Sequence, residues 1–207
     1  QMNSQNSVKH TKNQKYIHTT NQKNFKGGWR PNSMRRIITG HNADGKSIIA
    51  IDGPPACSIG EDVGGLFEIW NTDGKSVDTK DTADRADSEI LLSPPANGTK
   101  FRYFQINPTP EGIPWEVLQD AAAAAFAQIG AAHHRIDTSK HPAMHKTETI
   151  DYIILLKGDV SLLLDEEDVR LQPFDTVVQR GTNHAWVNHG KEAALLIAVL
   201  IDSELKD

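Results

Sequence analysis

Short β-type runs joined by tight turns fill the C-terminal half of the chain, and this pattern restricts the fold more than any other feature. The intervening segments are too short for the crossover helices that parallel strands need. An antiparallel sandwich or barrel is therefore predicted. The runs cover residues 147–156, 160–164, 169–171, 176–179, 185–188 and 193–201.

Further β-type runs and one helix are predicted between this region and the N-terminus. Asp44-Gly45 lies between the first two runs and favours a hairpin. A helix is predicted after Pro114 and ends at Gly130, because apolar residues recur there at helical spacing. The runs cover residues 37–39, 47–51, 66–70, 89–92 and 101–106, and the helical stripe consists of Val117, Leu118, Ala121, Ala125, Phe126 and Ile129.

Residues 1–33 differ from the rest because they are rich in Asn, Gln, Lys, Ser and Thr, which cannot bury a core of their own. They form either a flexible tail or an arm that packs along its own body or a partner subunit, anchored by Tyr16, Phe25 and Trp29. Residues 34–207 are predicted to be a single domain. Its additional strands and the arm offer edges for pairing, so a homodimer is expected.

Composition excludes several classes of protein. The net charge of -5 gives no electrostatic reason to expect a nucleic-acid partner. The single cysteine, Cys57, rules out an internal disulfide and a zinc site built from several thiolates. No apolar run approaches the roughly 20 residues that span a bilayer, and no signal peptide is recognisable, so no membrane partner and a cytoplasmic location are expected.

Two strands place polar side chains on faces that could meet inside a barrel, because every second residue of a strand points to the same side. The first face carries His145, Thr147, Thr149 and Asp151 before it becomes apolar at Ile153 and Leu155; the second carries His184, Trp186 and Asn188. We expect His145, Asp151 and His184 to converge in one pocket. Such a pocket suits a small molecule or a metal ion.

These residues also carry a resemblance to the cupin superfamily. His145-x-Thr147-x3-Asp151-x6-Gly158 is similar to the first cupin motif, which has His-x-His, a Glu and a closing Gly. The second motif, a Pro-Gly-Asp turn followed by Pro-x-Gly, a His and an Asn, resembles Pro173-Phe174-Asp175-x3-Gln179-x-Gly181-x2-His184-x3-Asn188. The resemblance covers about residues 100–202. It implies an all-β cupin jelly-roll barrel with additional N-terminal strands and one helix.

The chain departs from the family's metal-binding pattern at two positions. Thr147 stands where the motif has its second His, and Asp151 stands where it has Glu. The resemblance thus transfers metal binding directly only to His145 and His184. A site of His145, Asp151 and His184 with iron, zinc, nickel or manganese remains one interpretation. A metal-free polar pocket is the other.

The predicted function is that of a small-molecule enzyme of the cupin kind. It would be an isomerase, dehydratase or decarboxylase that transfers protons on an oxygenated metabolite, with His145 or His184 as acid or base and Asp151 as the group that orients it. Alternatives are a metal-dependent iron oxygenase and a non-catalytic small-molecule-binding cupin. Predicted substrate contacts are Thr147, Thr149, Trp186 and Asn188. Arg35, Arg36 and Arg102 either form ion pairs or hold a substrate carboxylate.

Overall fold

The computed structural model describes residues 33–60 and 64–206, so the predicted arm lies outside the described residues except for Ser33. The strands are β1 (Arg36–His41), β2 (Ser47–Gly53), β3 (Ser58–Ile59), β4 (Gly65–Thr72), β5 (Thr99–Ile106), β6 (Thr149–Lys157), β7 (Val160–Leu164), β8 (Asp168–Leu171), β9 (Thr176–Arg180), β10 (His184–Asn188) and β11 (Ala194–Asp202). One α-helix, α1 (Trp115–Gln128), and a short 3-10 helix (Ala132–His134) lie between β5 and β6.

Two antiparallel sheets form the body of the molecule. The larger has the order β3-β4-β5-β11-β6-β9, and the smaller has the order β10-β7-β8. The chain changes sheets after β6, β8, β9 and β10, so four of the seven pairings in these two sheets join strands that are not consecutive in sequence. The strand spacing predicts an antiparallel sandwich or barrel, and the resemblance implies a jelly roll. The two sheets form a double-sheet jelly roll, which confirms the all-β fold class.

The hydrophobic core lies between the two sheets. Side chains from β6 and β11 of the larger sheet meet Val160 and Leu171 of the smaller one, and all of them are buried. Trp186 of β10 packs against the same cluster. The alternation of β6 therefore places its odd-numbered residues inward, so that Thr149 and Asp151 extend the apolar Ile153 and Leu155 into a polar end of the interior, as predicted.

The N-terminal strands confirm the hairpin but only part of the predicted extension. β1 pairs with β2 around Asp44-Gly45 as a separate two-stranded sheet, whereas β3 and β4 join the larger sheet next to β5. The predicted strand at residues 89–92 is wrong. These residues belong to a segment, residues 84–93, that contains no strand and that we name the strap.

Side chains replace ladder hydrogen bonds along the strap. Arg102 donates to the carbonyl oxygens of Leu91 and Leu92 at 2.7 and 3.3 Å. The amide of Leu92 donates to the carbonyl of Ile129, just after α1. At the other end Arg36 donates to the Asp84 carboxylate at 2.8 Å. Leu91 and Leu92 thus have a strand-like sequence pattern, but their carbonyl oxygens accept hydrogen bonds from the Arg102 side chain rather than from a neighbouring strand.

Helix α1 forms as predicted, but the face that packs against the body coincides only in part with the predicted stripe. The prediction is confirmed at Leu118, Phe126 and Ile129, which are half-buried, and wrong at Val117, Ala121 and Ala125, which are exposed. Gln119, Ala122 and Ala123 are half-buried as well. No residue of α1 is fully buried, because the helix lies on the surface of the barrel rather than in its core. No helix of the described residues has the length and apolar character needed to cross a membrane.

Two turns show how the motif positions act on the backbone. Gly158, between β6 and β7, has φ +116°, and a Cβ there would come within 2.5 Å of the Ala194 Cβ. Phe174 occupies the turn position where the cupin motif has glycine, and it has φ 75°. A bulky side chain at positive φ is unusual and strained. Phe174 is 77% exposed, so packing does not offset that strain.

Replacing Phe174 by Gly is expected to raise the free energy of unfolding by about 1 kcal/mol, since glycine adopts this conformation without the steric cost of a Cβ. Urea denaturation of both proteins measures the difference. The matched variant Phe174→Ala retains a Cβ and should give no comparable gain. If Ala stabilises as much as Gly, removal of the exposed ring rather than relief of the backbone is the cause.

Candidate functional site

His145 and His184 lie side by side at the polar end of the interior. The two residues form an isolated antiparallel bridge in which each amide donates to the other's carbonyl at 2.9 Å. Their ring centroids are 4.3 Å apart. Because Trp186 packs on the core from the same strand, alternation directs His184 inward as well. Main-chain pairing therefore brings together two of the three residues that the sequence predicts to converge.

Hydrogen bonds at Nδ1 fix the protonation pattern of both rings. His145 Nδ1 donates to the Ala143 carbonyl and His184 Nδ1 donates to the Thr182 carbonyl, each at 2.9 Å. A carbonyl oxygen can only accept, so Nδ1 carries the proton in each ring. In a neutral imidazole the remaining nitrogen, Nε2, is then a hydrogen-bond acceptor and a base.

Burial keeps both imidazoles neutral. It lowers the pKa of His184 to about 4, and this residue is 3% exposed. His145 keeps some exposed surface, but burial of its ring and the neighbouring His184 lower its pKa to about 3. Two adjacent imidazolium ions would also repel one another. The pair therefore offers two neutral nitrogen acceptors at neutral pH.

Asp151 lies in the polar interior, where it interacts with Thr149 and Arg102. Burial raises its pKa to about 6, partly offset by a hydrogen bond from Thr149 and by the positive charge of Arg102. Its Oδ1 is buried and has no hydrogen-bond partner among the described residues. Backbone carbonyls, not Asp151, occupy the Nδ1 positions of both histidines, so the predicted orienting role is not seen at those atoms.

A buried charge cluster on β4 and β5 was not predicted as part of the interior. Arg102 and Glu68 are 2% and 1% exposed, and Arg102 Nη2 lies 2.7 Å from Glu68 Oε1. Lys100 Nζ lies 3.9 Å from Glu68 Oε2, and burial is the main cause of its lowered pKa. The sequence left open whether these arginines form ion pairs or hold a substrate carboxylate. Arg102 forms an inter-strand ion pair, and Arg36 pairs with Asp84. Arg35 pairs with Asp52 at the surface.

The residues predicted to contact the substrate differ in how many hydrogen bonds their polar groups already make within the protein. Thr147 and Thr149 are buried, and their hydroxyl oxygens are 2.8 Å apart. Asn188 Nδ2 donates to the carbonyls of Ile106 and Glu192, and its Oδ1 accepts from the Gly190 amide. Its amide group therefore holds the turn between β10 and β11.

Two aromatic rings adjoin the histidine pair. The ring of Phe126 from α1 lies 4.8 Å from that of His145, and Trp186 meets His184 edge-on at 5.8 Å. Helical spacing included Phe126 in the predicted stripe but gave no sign that it contacts the site. A separate cavity of about 560 Å³ is lined by Lys146, Ile150 and Thr182, among others, and neither histidine lines it.

The donor set does not fit the metal ion that the cupin resemblance implies. Among residues 33–60 and 64–206, no group of three or more His, Cys, Asp or Glu side chains is placed to hold a metal. Thr147, at the position of the missing histidine, has its hydroxyl next to that of Thr149. His145 and His184 alone supply two nitrogen ligands, which is one fewer than protein metal sites commonly use.

Sequence comparison finds fungal relatives but no matching family. No protein-family model matches the chain. It is 28% identical over 167 residues to the phomopsin biosynthesis cluster proteins C' and D of Diaporthe leptostromiformis, covering 76% of this chain and 72% of theirs. It is 34% identical over 65 residues to the oryzines biosynthesis cluster protein J of Aspergillus oryzae, covering 30% of this chain and 36% of that protein.

Comparison of structures returns cupin proteins repeatedly, at low similarity. A cupin-2 domain protein of Rhodospirillum rubrum aligns with a TM-score of 0.37 and 11% identity over 70% of this chain and 63% of its own. A sugar phosphate isomerase of the cupin superfamily from Silicibacter pomeroyi aligns with a TM-score of 0.31 and 12% identity over half of each chain. The fold assignment depends instead on strand order. The two antiparallel sheets form a double-sheet jelly roll, the architecture that cupin proteins share with other families.

Proposed function

We propose that this chain transfers protons on a small oxygenated organic compound at the polar end of its barrel, without a metal ion. The observation that carries the proposal is the histidine pair, in which both Nδ1 atoms are occupied by carbonyls and both rings are neutral. The two Nε2 atoms lie on adjacent rings and can each accept a proton, which suits the removal of a proton from a bound compound.

Asp151 supplies the complementary group in this proposal. Because the pKa of Asp151 is raised to about 6, its carboxyl group is protonated in a fraction of the molecules near neutral pH and can donate that proton. The histidines accept a proton and Asp151 donates one, which is the division of roles in isomerisation and dehydration. Decarboxylation would use the donor alone, to protonate the carbon that carbon dioxide leaves. An anionic substrate beside the rings would raise their low pKa toward the working pH. The names of the fungal relatives, which refer to biosynthesis clusters, fit a role in small-molecule metabolism.

Single substitutions test the proposal once a compound has been found by thermal-shift screening of carboxylic acids, sugars and phenols. A compound that binds only the native state raises the melting temperature. His184→Asn and Asp151→Asn are each expected to lower kcat at least about 100-fold, with affinity changed only a few-fold, since general acid–base catalysis contributes at that scale. His189→Asn is the matched control, because His189 is exposed on the neighbouring turn.

Three other results would replace the proposal. Recovery of the bound compound unchanged, with variants that alter affinity alone, would make the chain a binding protein. Loss of turnover on chelation that iron(II) restores would support the metal-dependent oxygenase. Unchanged kcat in both variants would remove His184 and Asp151 from the chemistry.

A further inference from the structure

The side of the larger sheet that faces away from the smaller sheet, which we name the outer face, carries an exposed apolar patch. Tyr152 and Ile154 of β6 are 53% and 36% exposed, and they alternate with the inward residues Asp151 and Ile153. Val178 of β9 is 59% exposed and pairs directly with Tyr152. Contiguous apolar patches of this kind on a soluble protein commonly mark a contact surface.

Another part of the outer face is already covered by the segment that leads into β1. Met34 is buried against Phe67 and Leu195, with Tyr103 and Leu156 packed beside them. Strand pairing confirms this placement, since Phe67 pairs with Tyr103, and Tyr103 with Ile197 of β11. The chain therefore reaches Met34 on the same face that carries the exposed patch, and residues 1–32 precede it.

Residues close to Met34 in sequence can reach the patch. From Leu156 to Val178 the distance is about four residues along the strand and one strand across, or roughly 14 Å. Trp29 lies five positions before Met34, and five steps of extended chain span up to about 17 Å. Phe25 and Tyr16 lie further back and have more length available. Trp29 is thus the nearest aromatic residue of the preceding segment that can contact Tyr152 and Val178.

Charge favours the same contact. Six of the 22 basic residues and none of the 27 acidic residues fall within residues 1–32, so the rest of the chain has 16 basic and 27 acidic residues and a net charge of -11. A segment of charge +6 is attracted to a body of charge -11, although this attraction selects no particular face. The apolar patch and the position of Met34 determine which face the segment binds.

We propose that residues 16–32 bind in cis across the exposed part of the outer face, with Trp29 and Phe25 covering Tyr152, Ile154 and Val178. This binding site is separate from the histidine pair, in which His184 belongs to β10 of the smaller sheet and His145 pairs with it. The apolar side chains supply the contact, and the basic side chains between them stay in solvent. The proposal does not depend on the catalytic role.

Cross-linking of full-length protein tests the placement. In a Cys57→Ser background, Gly28→Cys is combined with Thr176→Cys, which is exposed on β9 two residues before Val178. The matched control pairs Gly28→Cys with Val169→Cys, which is 48% exposed on β8 of the smaller sheet. After treatment with a short bismaleimide, we expect at least tenfold more intramolecular product for the Thr176 variant. Adding Trp29→Ser should reduce its yield to that of the control.

Each alternative result would overturn the proposal. Equal yields from the Thr176 and Val169 variants would mean that the segment has no preferred face. An unchanged yield with Trp29→Ser would remove the aromatic anchor. Covalent dimers whose yield rises with protein concentration would show instead that a second copy occupies the patch, either through its own segment or through its outer face.

Discussion

Replacing Arg102 by Met is expected to lower the free energy of unfolding by about 3–5 kcal/mol, the loss that follows when one partner of a buried ion pair is removed. Glu68 is 1% exposed and would lose the guanidinium that lies 2.7 Å away, which leaves it only Lys100, whose Nζ lies 3.9 Å away. The carbonyls of Leu91 and Leu92 would lose their donor as well. Urea denaturation followed by circular dichroism measures the change.

Two further variants separate the buried charge from general effects of removing an arginine. The double substitution Glu68→Gln with Arg102→Met should recover part of the loss, because the carboxylate that had lost its closest cation is gone. Arg35→Met is the matched control, since Arg35 and Asp52 are 51% and 42% exposed and an exposed pair contributes little. Equal losses from Arg102→Met and Arg35→Met would contradict the assignment of the Glu68 pair to the core.

The second large effect is a loss of stability in acid caused by His184. Its pKa is about 4 in the folded chain, against an ordinary value of 6.5. The unfolded chain therefore binds the proton first, and the stabilisation present above pH 6.5 is lost as the pH falls toward 4. Each proton taken up on unfolding gives a slope of about 1.4 kcal/mol per pH unit.

Between pH 4.5 and 6.5, His184→Asn should lower the slope of the unfolding free energy against pH by most of the contribution of one proton. Denaturation at several pH values measures this slope. His189→Asn controls for the loss of an imidazole elsewhere. Asp151 acts in the opposite direction: its pKa of about 6 is raised above 3.8, so its contribution is full below pH 3.8 and is lost as the pH rises through 6. Asp151→Asn should therefore stabilise the chain at pH 7. An unchanged slope for His184→Asn would mean that the ring is hydrated.

Turn chemistry explains why so much of the fold could be predicted from the sequence. Asp44-Gly45 and Gly158 act locally, so the hairpin and the closely spaced strands follow from a few neighbouring residues. The strand at residues 89–92 was wrong for the opposite reason. Leu91 and Leu92 have a strand-like pattern, but the donor that takes their carbonyls is the side chain of Arg102, on a strand distant enough in sequence that local patterns do not reveal it.

The candidate site was predictable to the extent that it depends on alternation. The shared faces and the motif spacing place His145 near His184, and the structure brings their rings together. The Nδ1 partners were not predictable, because the carbonyls of Ala143 and Thr182 carry no side-chain signal. A signal for the buried pair was present but was not used: Glu68 and Arg102 each interrupt an apolar strand.

The backbone bridge between positions 145 and 184 has a consequence for how such a site can evolve. Two reciprocal main-chain hydrogen bonds fix the separation of these residues, and they form whatever side chains the residues carry. A lineage can therefore exchange the chemical groups at 145, 184 and the neighbouring 147 one at a time without rebuilding the scaffold. Loss or return of a metal ion then needs changes of side chain only, and one barrel can pass between chemistries through few substitutions.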